Sequence, residues 1–276
     1  MKTILIPTDF SKPSLNAIEY GVDFARVTDA KVILFHVYHI PVITSDTPII
    51  VPSVTEIEEN CMEKLKKIAN KMHRNRSEVK IEYKCASGFI VDEINRMAID
   101  IRADLIIMGM QGTGLLTEKL IGSTTTSLMR KSPIPVLSID AHSRFQSFKK
   151  ITLACDYEDA KYSKVLNPLK EIATLFNSSI SILNVKSKMD TEVTVTETVQ
   201  SLKLEHSFEG FDHDFNYESN DNTVEGILNF IKKENSDLLV VIPRQHSFLH
   251  NIFNEPHTKQ IAFRINIPLL TLNNNI

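Results

Sequence analysis

The sequence repeats itself. Residues 103–139, ADLIIMGMQGTGLLTEKLIGSTTTSLMRKSPIPVLSI, lie over residues 236–272, SDLLVVIPRQHSFLHNIFNEPHTKQIAFRINIPLLTL, without a gap. Asp104 meets Asp237 and Pro135 meets Pro268. Earlier in the chain Asp9 meets Asp156, and Val37 meets Val185 after one inserted residue. A chain of 276 residues is long enough for two ordinary domains, and two copies of one unit is the economical account of the pattern. The units are expected at 1–143 and 147–276. The joint is expected near DAHSRFQSFKK, residues 140–150, a polar stretch that belongs to neither pattern.

Each unit alternates strand and helix. In the first, apolar runs at 2–7, 31–37, 78–84, 104–109 and 134–139 predict strands. Between them Leu15, Ile18, Val22 and Ala25 recur at helical spacing over 11–28, with Ser11 placed to cap. Ser53 and Glu56 form a capping-box signature ahead of Ile57, Cys61, Leu65, Ile68 and Met72. Helices are also expected at 89–101 and 122–131. The strongest strands are unbroken Ile/Leu/Val runs, as befits a parallel sheet covered on both faces. Right-handed crossovers then give an α/β, doubly wound, Rossmann-like fold twice over, each copy a five-stranded parallel sheet flanked by helices. In the second unit TEVTVTETVQSLKLEHSF starts with strand-favouring Thr and Val. Val195, Val199 and Leu202 keep helical spacing, and the repeat asks for a helix there.

Composition narrows the function classes. The net charge of −3 gives no bulk attraction to nucleic acid or to an anionic membrane. No run reaches the roughly 18–20 apolar residues that span a bilayer, and MKTILIPTDF reads as a first strand, not a signal peptide. Three well-separated cysteines, Cys61, Cys85 and Cys155, point to a reducing, cytoplasmic compartment.

The strand at 104–109 delivers Met108 and then Gly109, Gly112, Gly114 and Gly122. In a doubly wound sheet ligands sit outside the carboxyl ends of the strands. Glycine there allows positive φ and close approach of an anion, and successive backbone N–H groups form a nest. Gly122-Ser123-Thr124 then opens a helix whose free N–H groups favour phosphate, with two hydroxyls added. No Walker lysine follows and the spacing is not G-x-G-x-x-G, so neither a P-loop ATPase nor a dinucleotide dehydrogenase fits. The bland alternative for any one of these glycines is a loop or helix-cap residue.

On these residues the first unit resembles a universal stress protein domain of the ATP-binding kind, over nearly all of residues 1–140. That family's phosphate motif, G-x2-G-x9-G-[S/T], is met by Gly109, Gly112, Gly122 and Ser123. The resemblance implies an adenine nucleotide alpha hydrolase-like fold and ATP as ligand, with or without Mg2+. Pro7, Thr8 and Asp9 would frame the adenine and ribose, Val37 would meet the adenine edge through its backbone, and Met108 and Thr124 would flank the phosphate loop. Gly88 starts the third helix where the family has it. Asp9 keeps two roles open, a ribose contact or a cap for the next helix. The family also implies a stress-response regulator or sensor with no catalytic residue and at most slow hydrolysis. Its edge strands pair, so IPVLSI and IPLLTL are expected to pair the two internal units, with a homodimer as a further option. The insertion at 38–53 reads as a lid, a contact surface or a plain loop. A rival from another class is an enzyme that uses an adenylylated intermediate, and a third reading is an interaction protein that binds no nucleotide. An adenylylating enzyme would want a Ser-Gly-Gly-x-Asp-Ser loop where this chain has PTDFSKPS.

The second unit has lost the cradle. Ile242 stands for Gly109, Gln245 for Gly112, and Glu255-Pro256 for Gly122-Ser123. Side chains fill the nest, proline removes a donor, and the carboxylate repels phosphate. Arg244, His246, His250, His257 and Lys259 crowd this segment instead. It reads as a polar loop packed on its partner domain, as a site for another anion or polar ligand, or as a zinc site using His246 and His250. No metal-binding motif supports the last, and no metal is expected.

Overall fold

The computed structural model describes residues 1–40, 53–110, 122–155, 162–187, 195–243 and 266–273. Its first half runs β1 (Thr3–Pro7), α1 (Lys12–Thr28), β2 (Lys31–Tyr38), α2 (Val54–Asn75), β3 (Ile81–Ser87), α3 (Ile90–Asp100), β4 (Leu105–Gly109), α4 (Ser123–Lys131) and β5 (Val136–Ile139). Its second half runs β6 (Lys150–Ala154), α5 (Tyr162–Val165), α6 (Asn167–Phe176), β7 (Ser179–Lys186), α7 (Val195–Ser207), β8 (His213–Ser219), α8 (Thr223–Glu234), β9 (Leu238–Val241) and β10 (Leu269–Thr271). The ambiguous Thr/Val segment is therefore helical from Val195.

The two expected sheets are halves of one ten-stranded sheet, ordered β3-β2-β1-β4-β5-β10-β9-β6-β7-β8. Every pairing inside a half is parallel. The halves join antiparallel, with Leu269 opposite Ser138, Leu270 opposite Leu137 and Thr271 opposite Val136. This is the edge pairing expected of the two final strands. The unbroken apolar runs are buried on both faces. On one face Ile4, Leu34 and Leu105 pack with Phe24, Leu65, Phe176 and Leu204. On the other, Leu5, Ile33 and Ile106 pack with Ile94, Leu128, Ile227 and Phe230.

The repeat is visible in hydrogen bonds as well as in strands. Asp104 Oδ2 accepts the N–H groups of Lys2 and Thr3 at 2.7 and 2.9 Å. Asp237 Oδ2 accepts those of Lys149 and Lys150 at 2.7 and 2.8 Å. In both halves one carboxylate before the fourth strand satisfies the free donors at the start of the first.

Three local expectations shift. β3 begins at Ile81, three residues later than the apolar run suggests, because Val79 is buried in a turn closed onto the Arg76 carbonyl at 3.2 Å. The helix after β6 breaks into α5 and α6 at Pro168, which has no N–H to give to the preceding turn. The joint at 140–150 is not merely polar. Asn16 of α1 donates to the carbonyls of Asp140 and Ser143, both at 3.1 Å, and Arg144 donates to the Asn16 carbonyl oxygen at 2.7 Å. Phe145 and Phe148 then enter a cluster with Phe24 of the first half and Phe176 of the second, whose rings lie 6.0 Å apart. Phe148 is 1% exposed, so Phe148→Ala should cost about 3–5 kcal/mol of stability. Urea unfolding followed by circular dichroism checks this, and a loss under about 1 kcal/mol would mean the cluster does not join the halves.

Candidate functional site

Five separate segments meet in one cleft at the carboxyl ends of β1, β2 and β4. Pro7 ends β1, and the Thr8 N–H continues the ladder to the Phe35 carbonyl at 2.8 Å. The Thr8 hydroxyl is buried, shares a proton with Ser14 at 2.9 Å and accepts the Phe10 N–H at 3.0 Å. Phe10 itself holds a left-handed φ of 66°, an uncommon conformation for a bulky residue, within this tightly bonded turn. Asp9 Oδ1 accepts both the N–H and the hydroxyl of Ser11, at 3.0 and 2.5 Å. Partial burial raises the Asp9 pKa, but the bonds from Ser11 and Ser14 outweigh it and the net shift is downward. The carboxylate is therefore ionised at neutral pH. Ser11 stands at the N-cap of α1, yet its hydroxyl serves Asp9 and not the helix.

The other walls follow the same strand ends. Val37 of β2 and Met108 of β4 are buried and line the cleft, as do Ile90 and Ile94 of α3. These give an apolar slot suited to a flat ring. Opposite it lies the start of α4. Gly122 occupies the N-cap with φ −59° and ψ 145°, so the N-cap residue offers no side chain to cap the helix, and no acidic residue sits in its first turn. Gly122, Ser123 and Thr124 line the cleft there. The first N–H groups of such a helix have no intrahelical acceptor, and together with its dipole they attract an anion. Thr125, buried, donates its hydroxyl to the Gly109 carbonyl at 3.2 Å and ties α4 to the end of β4. The cleft measures about 210 Å3, below the ~300–1,000 Å3 of enclosed small-molecule pockets. A ligand larger than a ring and a sugar must extend beyond these walls.

Nine of the ten expected first-unit positions, Pro7, Thr8, Asp9, Val37, Met108, Gly109, Gly122, Ser123 and Thr124, line this one cleft. The tenth, Gly112, lies outside the described residues, as do Arg244, His246, His257 and Lys259 of the second unit. Gly109 needs a correction of cause. A Cβ there would meet the Pro13 carbonyl oxygen at 2.5 Å and its carbon at 2.6 Å. The first turn of α1 already demands a bare residue at this strand end, before any ligand arrives. Ser14, His36 and Thr125 also line the cleft and were missed. Thr125 belongs to the same STTT run as Ser123, and His36 adjoins Val37, so proximity in sequence was an available signal. Among the described residues no group of three His, Cys, Asp or Glu could hold a metal ion, and no helix is long and apolar enough to cross a membrane.

Comparison with known proteins agrees with this geometry. The Universal stress protein family matches residues 1–139. Universal stress protein MJ0577 of Methanocaldococcus jannaschii is 33% identical over 152 residues, which cover 50% of this chain and 94% of that one. Universal stress protein Sll1654 of Synechocystis is 28% identical over 149 residues, covering 50% and 85%. The crystal structure of a universal stress protein from Archaeoglobus fulgidus superimposes over 99% of this chain and 98% of its own, with a TM-score of 0.76 at 19% identity. That last likeness is one of fold, and it extends through both halves.

Two outcomes follow from the site's geometry. Gly109→Ala should destabilise the ligand-free protein by about 1–3 kcal/mol, because the added carbon collides with backbone. A melting temperature equal to that of the parent would refute the packing account. Asp9, with its folded pKa depressed, stabilises the fold above the ordinary carboxylate range and loses that contribution as pH falls through the folded value. Asp9→Asn should therefore flatten the acid limb of the stability–pH curve and nothing above neutrality.

Proposed function

We propose a function for a chain that belongs to the universal stress protein family: its amino-terminal unit binds ATP, with or without Mg2+, and acts as a stress-response regulator through nucleotide-dependent shape or partner affinity. What carries the proposal is the convergence of nine motif positions from four segments on one cleft. The apolar slot of Val37, Ile90, Ile94 and Met108 suits the adenine. The ionised Asp9 suits the ribose hydroxyls, and its hold on Ser11 fixes it for that task. The start of α4, with glycine at its N-cap, suits the phosphates. A magnesium ion would be held by phosphate oxygens with few protein ligands, as Mg2+ usually is at such sites.

The second unit serves as a scaffold or senses something else. Ile242, where the first half has Gly109, is 3% exposed and part of the core, so a side chain fills the strand end that the cradle needs bare. Arg244, His246, His257 and Lys259 are the residues through which a different polar ligand would be met. Three well-separated cysteines, an odd number, suit a cytoplasmic setting. A homodimer remains part of the proposal alongside the internal pairing of β5 with β10.

Calorimetric titration of the purified chain with Mg-ATP tests this directly. One site per chain is expected. Gly112→Val should abolish binding by filling the phosphate space, while Gln245→Val, at the matching position of the second unit, should leave the affinity unaltered. Two sites per chain, or undiminished binding by Gly112→Val, would sink the assignment.

A further inference from the structure

Helix α4 cannot close its own far end. The Met129 carbonyl, in its last turn, would take its helical bond from the N–H of residue 133, and that residue is proline. A buried carbonyl left without a bond is costly. The helix also has only nine residues, short of the about 12–15 an isolated helix needs to persist. The missing donor comes from the other half of the molecule. Asn273, two residues past β10 and 7% exposed, gives its side-chain amide to the carbonyls of Met129 and Ser132 at 3.0 and 2.8 Å.

This clasp runs one way. The repeat that lays residues 103–139 over 236–272 brings Asp140 under Asn273. An amide donates, whereas a carboxylate only accepts, so Asp140 cannot give the second half what Asn273 gives the first. The unit that lost the cradle therefore supplies a group that the unit with the cradle does not have in its own copy. The opposite end of the same helix forms the anion side of the cleft through Gly122, Ser123 and Thr124. Thr125 ties that end to the Gly109 carbonyl. We propose that Asn273 is a positioning residue for the cleft. It acts through α4, holding the N–H groups at the start of that helix where phosphates are met. This rests on the nucleotide assignment of the cleft and gives the carboxy-terminal half a part in the affinity of the amino-terminal one.

Substitution at the clasp, with calorimetric titration by Mg-ATP below the melting range, makes the test. Asn273→Leu keeps the buried volume and removes both donors. It should weaken binding by about fivefold or more, the usual scale of coupling between separated sites. Thr271→Val is the control. It cuts a buried bond from the same strand to the Val136 carbonyl, at 3.3 Å, that does not touch α4. Both variants should melt at a lower temperature than the parent, but only Asn273→Leu should lose affinity, and Thr271→Val should stay within about twofold. A cap with a structural role alone would lower the melting temperature and leave affinity unmoved. Asn273→Ser retains one donor, so it keeps the test open where Asn273→Leu does not fold, and should show a smaller loss in the same direction. Parent-like affinity in the folded Asn273 variants, or an equal loss in Thr271→Val, would overturn the role of Asn273 alone. Failure of the parent to bind Mg-ATP would overturn the nucleotide assignment itself.

Discussion

Two short strands, either of which would otherwise leave an apolar sheet edge in water, hold this molecule together. β5 and β10 contribute only four and three residues, yet they turn two parallel sheets into one. An exposed edge of this kind pairs with whatever it meets, and here each finds the other within the same chain. The antiparallel join sets the halves head to tail, so the carboxyl ends of the first half's strands face the opposite way from those of the second. The aromatic cluster of Phe24, Phe145, Phe148 and Phe176 then covers the crossing.

The cleft depends on a second constraint, the close seat of α1 on β4. With Gly109 bare, the Pro13 carbonyl can come down onto the strand end. That seat brings Ser14 under Thr8 and lets the turn at Thr8–Ser11 close on its own hydroxyls. The same turn presents Asp9 and receives His36. A glycine that looks like part of an anion cradle is thus first a packing residue, and the site is built on it. The second half shows the converse. There the strand end is occupied by Ile242, and the helix after β6 is broken at Pro168.

Much of this was legible in the residues. Unbroken runs such as Val32–Phe35 and Leu105–Met108 can only be strands covered on both faces, and the matched Asp104 and Asp237 make matched bonds. The capping box at Ser53 and Glu56 closes as its spacing predicts. What was not legible involves partners far apart in sequence. Nothing near Gly109 announces Pro13. The four phenylalanines of the junction are scattered, and two of them hide in a segment dominated by charge and hydroxyls. The turn at Thr8 reveals its need for His36 only when β1 and β2 lie side by side. Spacing marks where a motif is, but a contact across the sheet decides why each residue is there.

Helix α4 also touches both halves. Asn273, beyond β10, donates its amide to the carbonyls of Met129 and Ser132 at 3.0 and 2.8 Å, closing the far end of α4. The near end of α4, at Gly122 and Ser123, lines the cleft. A helix of nine residues is a rod about 13 Å long, stiff over that distance. Its near end lies in the first half's cleft and its far tip is bonded by the second half. A tilt of the helix at its cleft end would therefore strain two buried bonds made by the carboxy-terminal half.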